Sequence, residues 1–301
     1  MKKIKFGKEF KPPVYLALGM FDCVHIAHTQ IIDKVCKSAK EQNFLSAVFT
    51  FSNNFSKFFK EDEKLIYTFS ERLERFCEQN LDLVIYKRAT CRFLKLPPEK
   101  FLNKLIKVYN IKGIVCGNDY TFGKGALGGV DLLKDFCAQN DIELNVIDTV
   151  LDNNLKVGTS GIKKLILSGN IEKANSLLGS PYFVNGKVIK GRGRGKSFLF
   201  PTANILLNAQ KLKVQNGVYF TKTQIGNKVY NSVTNCGARP SVDDKTNLME
   251  THILNFDGDL YKREIRVYFY KKIRDIQKFE NLSDLKNQIE KDINFVNGIK
   301  N

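Results

Sequence analysis

The feature that most constrains the fold is a change of rhythm near residue 180. Before it, short apolar runs alternate with amphipathic ones. Strands are predicted over 15–19, 45–51, 83–86, 111–116 and 142–148, and helices over 29–42, 70–79, 98–109 and 131–139. The first helix carries Ile31, Ile32, Val35 and Ala39 on its inner face, and Pro98 opens the third. Alternation of this kind predicts an α/β domain with a parallel sheet and crossover helices. Two short helices follow around Ser168-Gly169-Asn170. From 182 onward the segments are short and separated by Gly and Asn: 183–189, 217–224, 228–235, 250–256 and 265–270. These predict an antiparallel barrel or sandwich. A closing amphipathic helix is predicted over 282–296, with Ser283 as its cap and Leu285, Ile289 and Ile293 aligned.

A chain of 301 residues exceeds what one core usually serves, so two domains are expected, 1–178 and 179–301. The net charge of +17 comes from lysines spread along the whole length rather than from a basic tail. It favours anionic ligands such as ATP over a dedicated nucleic-acid partner. The seven cysteines form no CxxC pair and are odd in number, which indicates neither a zinc site nor a disulfide framework and points to a reducing, cytoplasmic setting. Lys2, Lys3 and Lys5 precede an apolar run over 14–21 that Asp22 stops, too short for a signal peptide or a membrane span.

Three stretches carry chemistry. In 188–204, VIKGRGRGKSFLFPTAN, Gly191, Gly193 and Gly195 alternate with Arg192, Arg194 and Lys196. Such a loop brings backbone amides and cations close to an anion. Its GKS end suggests a P-loop, but Lys190 stands where the first glycine belongs, and Phe-Leu-Phe-Pro follows where a helix should begin. The second stretch, GMFDCVHIAH over 19–28, lies in a strand-to-helix turn, at the edge of a sheet where α/β folds bind ligands. His25 and His28 share a face near the helix N-terminus, where two imidazoles can offset charge on an α-phosphate and a departing pyrophosphate. Third, GTSGIK over 158–163 offers Thr159 or Ser160 as a cap, with hydroxyls for a phosphate.

In this order, the motifs resemble the prokaryotic bifunctional riboflavin kinase/FAD synthetase family over 14–292. The resemblance implies a Rossmann-like nucleotidylyltransferase domain followed by a β-barrel riboflavin kinase domain with a terminal helix. Gly19, Phe21, Asp22, His25 and His28 match the family's GxFDGxHxGH; His25 and His28 are then catalytic, and Gly19, Phe21, Asp22, Thr159 and Ser160 bind ATP. GNDYTFGKGALGG resembles the flavin-contact loop, which implicates Asn118, Asp119, Phe122 and Gly123. In the second half, Gly191, Gly193, Arg194, Gly195 and Lys196 bind ATP phosphates, and Thr202 and Asn204 of the PTAN sequence hold Mg2+. Residues 235–240, NCGARP, resemble the family's NxGxRP turn. Glu250 takes the proton from the terminal hydroxyl of riboflavin as it attacks the γ-phosphate, and Arg274 faces flavin or nucleotide. On a strand, Glu250, His252 and Leu254 share one face, with Thr251 and Ile253 behind.

The implied reactions are riboflavin plus ATP to FMN, then FMN plus ATP to FAD and pyrophosphate. Riboflavin, FMN and ATP are the small-molecule partners, Mg2+ the cofactor, and no membrane or nucleic acid is involved; self-association stays open. The departures concentrate in the first half: Cys23 and Ala27 replace glycines, Ser52, Asn53 and Asn54 stand where Asp, Pro and His are usual, and Gly161 where an arginine is. In the second half, Leu199 replaces a glycine. Three other readings follow. They are a riboflavin kinase with a degraded adenylyltransferase domain, a nucleotidylyltransferase of another specificity, and a nucleic-acid- or flavin-binding regulator on the same scaffold.

Overall fold

The computed structural model describes residues 1–58, 63–191, 200–237 and 248–299. The chain divides into two compact units, Met1–Thr159 and Ser160–Asn301.

The first unit runs β1 (Lys2–Lys5), β2 (Phe10–Leu18), α1 (Ile26–Glu41), β3 (Leu45–Phe51), α2 (Phe69–Glu78), β4 (Leu83–Lys87), α3 (Cys91–Leu94), α4 (Pro98–Val108), β5 (Tyr109–Gly117), α5 (Val130–Gln139) and β6 (Glu143–Ile147). A two-stranded hairpin, β7 (Leu151–Asp152) and β8 (Leu155–Lys156), follows. The sheet has the order β1-β4-β3-β2-β5-β6 and every neighbouring pair is parallel. Because helices cover both faces, β2 is buried on both sides. Val14, Leu16 and Leu18 pack with Phe101, Leu105 and Leu133 on one face, and Tyr15 and Ala17 pack with Ile32, Val35 and Phe76 on the other. Strand β2 has β3 on one side and β5 on the other, so the strand order reverses there, the position at which open α/β sheets bind ligands beyond the carboxyl ends of their strands. Strand β1 carries no readable signal, since only Ile4 of its four residues is buried.

The second unit contains α6 (Thr159–Leu167), whose first residue closes the first unit, and α7 (Ile171–Leu178). Strands β9 (Tyr182–Ile189), β10 (Thr202–Leu207), β11 (Gly217–Ile225), β12 (Lys228–Cys236), β13 (Leu248–Ile253) and β14 (Glu264–Arg274) close into a barrel of order β10-β13-β12-β11-β14-β9. Inside it, buried hydroxyls satisfy one another: Thr221 with Ser232 at 2.8 Å and Thr234 at 2.7 Å, Thr223 with Ser232 at 2.8 Å, and Thr234 with Thr251 at 3.0 Å. On the outside, Val218, Phe220 and Val233 meet Val296 and Ile293 of α8 (Leu282–Asn297). Helix α8 is capped by Asn281, which is extended at φ −141° and accepts from the Asp284 amide at 2.9 Å. Ser283 lies inside the first turn, so the expected cap is corrected by two residues. Likewise α6 begins at Thr159, which puts Thr159 and Ser160 in its first turn rather than before it. Strand β13 stops at Ile253, short of the expected 256, because Asn255 takes a left-handed φ of +55°.

Candidate active sites

In the first unit, the turn after β2 is wound around Phe21. Its backbone is left-handed at φ +48°, as is that of Val24 at +47°, and its ring is fully buried. A Cβ added to Gly19 would lie 2.9 Å from the Phe21 ring, so only glycine lets the chain pass. The ring sits 5.2 Å from that of His28 and 6.0 Å from Phe76.

His25 is the N-cap of α1. Its Nδ1 accepts from the His28 amide at 3.3 Å, so the neutral ring carries its proton on Nε2. The two imidazoles stack at 3.7 Å with 9° between their planes. The helix begins three residues earlier than the periodicity predicted, because a histidine supplies the cap. Burial pushes His25 down to about 4. Burial first, then the positive charges of His25 and Arg72, holds His28 well below the ordinary range. Both rings are therefore neutral at pH 7, and the Nδ1 of His28 is buried with no hydrogen-bond partner.

Arg72 belongs to none of the sequence motifs. It lies on α2, is 2% exposed, and its guanidinium donates to the Met20 carbonyl at 3.3 Å, the Thr50 hydroxyl at 2.8 Å and the Phe51 carbonyl at 2.6 Å. It ties the histidine turn to the end of β3. Burial lowers its pKa, and the negative charge of Asp22, itself buried, opposes that shift. A helical pattern cannot reveal such a residue, since arginine on a helix ordinarily reads as surface.

At the exit of β5, Asp119 pairs with Lys156, and its charge favours the protonated form of His25. Asn118 is held by its amide on the Ile147 carbonyl at 2.9 Å and by its side-chain oxygen on Thr149 at 2.8 Å. Phe122 turns into the core, stacking on Tyr120 at 5.4 Å and meeting Phe101 at 5.8 Å. Gly123, at φ +75°, passes so close to Pro98 that an added Cβ would lie 2.7 Å away. Asn53 exchanges hydrogen bonds with both backbone groups of Ala89, at 2.7 and 3.1 Å, so this departure from the family pattern is a structural anchor here. Thr159 lies 3.6 Å from the Cys23 sulfur, whereas Ser160 is exposed. Cys23, His25 and His28 offer ligand atoms within 4.8 Å of one another, a mixed set that cysteine-pair spacing does not reveal.

In the second unit, register assembles the site. Asn204 of β10 is paired with Glu250 of β13, which on its other side is paired with Asn235 of β12. Thr202 is paired with His252 in the same way. Along β13, Met249, Thr251 and Ile253 are buried while Glu250 and His252 are partly exposed, so the expected alternation holds across these residues. Thr202, Asn204, Glu250 and His252 thus share one face of neighbouring strands. The His252 Nδ1 meets the Pro201 carbonyl at 2.8 Å, which ties the entrance of β10 to β13. A Cβ on Gly191 would lie 2.1 Å from the Asn204 amide nitrogen, so the backbone leaving β9 passes directly over that side chain. Gly193, Arg194, Gly195 and Lys196 lie outside the described residues, as do Ala238, Arg239 and Pro240. Arg274 is engaged by Asp292 of α8 through Nε at 3.0 and 3.1 Å and Nη2 at 2.8 Å.

Both halves of the chain match family models: FAD synthetase over residues 7–161 and riboflavin kinase over 178–299. A bifunctional riboflavin kinase/FMN adenylyltransferase of Buchnera aphidicola from Schizaphis graminum is 34% identical over 93% of this chain and 92% of its own. One of Bacillus subtilis is 31% identical over 95% and 92%. A crystal structure described as a macrolide-efflux protein from Streptococcus pneumoniae superposes with a TM-score of 0.90 at 27% identity, over 99% of both chains. Among the described residues, no helix is long and apolar enough to cross a membrane. Sheet, barrel and matching models define a two-module transferase of flavin cofactor biosynthesis. The chain belongs to the bifunctional riboflavin kinase/FMN adenylyltransferase family.

Proposed function

We propose that the two activities are laid out along the chain in two stretches. Residues 179–301 phosphorylate riboflavin to FMN, and residues 1–178 transfer the adenylyl group of a second ATP to FMN, releasing pyrophosphate. The observation that carries the reading is the register that sets Asn204 opposite Glu250 on β10 and β13.

In the kinase half, Glu250 accepts the proton of the ribityl terminal hydroxyl as that oxygen attacks the γ-phosphorus and ADP departs. Gly191, Gly193, Arg194, Gly195 and Lys196 bind the phosphates. The Thr202 hydroxyl and Asn204 amide oxygen are hard donors spaced two apart on one strand face, and they fit Mg2+. When bound, the ion neutralises phosphate charge. His252 positions β10 through Pro201. Arg274 steadies α8 through Asp292 and stands at the flavin side.

In the adenylyl half, a phosphate oxygen of FMN attacks the α-phosphorus of ATP, and the Nε2–H of His25 with the ring of His28 donates to the phosphate oxygens. Gly19, Phe21, Asp22, Thr159 and Ser160 shape the nucleotide side, and Asn118, Asp119, Phe122 and Gly123 the flavin side. The setting is cytoplasmic.

The test is a time course of the full chain with riboflavin, ATP and Mg2+, with the flavins separated by chromatography. FMN appears first and FAD after it. Glu250→Ala blocks both from riboflavin but leaves FAD formation from supplied FMN, and His28→Ala blocks only FAD. FMN that accumulates without FAD, even when supplied directly with ATP, would reduce the first unit to a non-catalytic domain.

A further inference from the structure

We propose that Cys23, His25 and His28 form a binding site for a divalent ion of the zinc type, which takes sulfur and imidazole ligands rather than the oxygen donors of Thr202 and Asn204. Their ligand atoms lie within 4.8 Å of one another. A tetrahedral ion bound at ordinary Zn–S and Zn–N lengths needs ligand atoms about 3.4–3.6 Å apart. The gap is about an ångström, which side-chain rotation closes as the parallel imidazoles splay to bring the ion into both ring planes.

The chemistry of the donors selects the ion. One thiolate and two imidazoles suit borderline-soft Zn2+ or Co2+, while Mg2+ prefers carboxylates, phosphates and water. His25 is 4% exposed; it ligates through Nε2 once the ring proton moves to Nδ1, which gives up the cap bond from the His28 amide. One further observation points to a ligand. The Nδ1 of His28 is buried and has no hydrogen-bond partner. The Thr159 hydroxyl, 3.6 Å from the Cys23 sulfur, is placed to orient the thiolate from behind. Three protein ligands leave a fourth position for water or a phosphate oxygen. Cys23 stands where the family motif has glycine, so the motif itself does not supply the sulfur ligand.

Binding displaces the thiol proton to solvent, moves the His25 ring proton from Nε2 to Nδ1 and occupies both imidazoles. On the reading that these rings serve adenylyl transfer, the ion stops FAD formation while riboflavin phosphorylation continues. The site is a metal-sensitive brake on one of two activities.

The test uses Co2+ as a spectroscopic probe on the metal-free full-length chain. A thiolate-to-cobalt charge-transfer band is expected to saturate at one equivalent and to vanish in Cys23→Ser and Cys23→Ala, with thermal melts showing that both variants fold. No band in the wild type, or one that persists in both variants, would overturn the site. In the second arm, Zn2+ is titrated into FAD synthesis from FMN and ATP. The half-inhibiting concentration is expected to rise at least tenfold in Cys23→Ser, and an unchanged value would overturn the brake. If the wild type makes no FAD, the adenylyl assignment fails while the cobalt spectrum still decides the site.

Discussion

Asn204 and Glu250 sit directly opposite each other on β10 and β13, although 46 positions separate them in the sequence. The barrel brings an amide and a carboxylate to adjacent places on one face. A one-residue slip between the strands would send one of the two inward.

The first prediction concerns that carboxylate. Glu250→Gln keeps the shape and removes the proton acceptor, so FMN formation should fall by about 10²–10⁴-fold. Steady-state assays with riboflavin check this, and FAD formation from supplied FMN should be unaffected.

Gly191→Ala should damage the kinase specifically. Its Cβ would lie 2.1 Å from the Asn204 amide nitrogen, so strand or side chain must move. Overpacking of this kind costs about 1–3 kcal/mol, or about 5–150-fold in kcat/KM for ATP. A variant with unchanged ATP kinetics would show that Asn204 does not touch the nucleotide.

Acid should loosen the first unit. The folded pKa of His25, about 4, lies below its ordinary 6.5, so the unfolded chain binds the extra proton. The stability tied to this difference is complete above pH 6.5 and is lost as the pH falls towards 4. The loss amounts to about 3 kcal/mol by pH 4. Urea unfolding in EDTA at pH 7 and pH 4, comparing wild type with His25→Asn, measures it. Asparagine keeps the cap acceptor but does not titrate, so its pH dependence should be flatter.

Arg72→Met should separate the two activities. The buried guanidinium leaves three acceptors behind, and breaking such a network costs about 3–5 kcal/mol. FAD formation should be lost, with the histidine turn becoming protease-sensitive, while FMN formation persists.

The order of elements was legible because periodicity switches from helical to alternating near residue 180. Strand β10 is not legible as a strand, because Thr202 and Asn204 belong to a motif and leave only Ile205 and Leu207 as buried apolar residues. The pairing of Asn204 with Glu250 was not legible at all: register depends on which strands meet in a closed barrel. The histidine pair was visible from spacing, but its stacking and low proton affinity come from burial under Phe21 and beside Arg72. Arg72 itself gives no sequence signal, since its partners are two carbonyls and a hydroxyl from other elements.

The cap bond of His25 gives the two histidines different fates over evolutionary time. A lineage that abandons adenylyl transfer still needs an acceptor at the start of α1, worth about 1 kcal/mol, so selection for folding alone preserves a capping residue at position 25. His28 has no such role in folding, because no hydrogen bond holds its Nδ1. Among descendants of this chain, persistence of a histidine at position 28 is therefore the better record that the reaction is still being used.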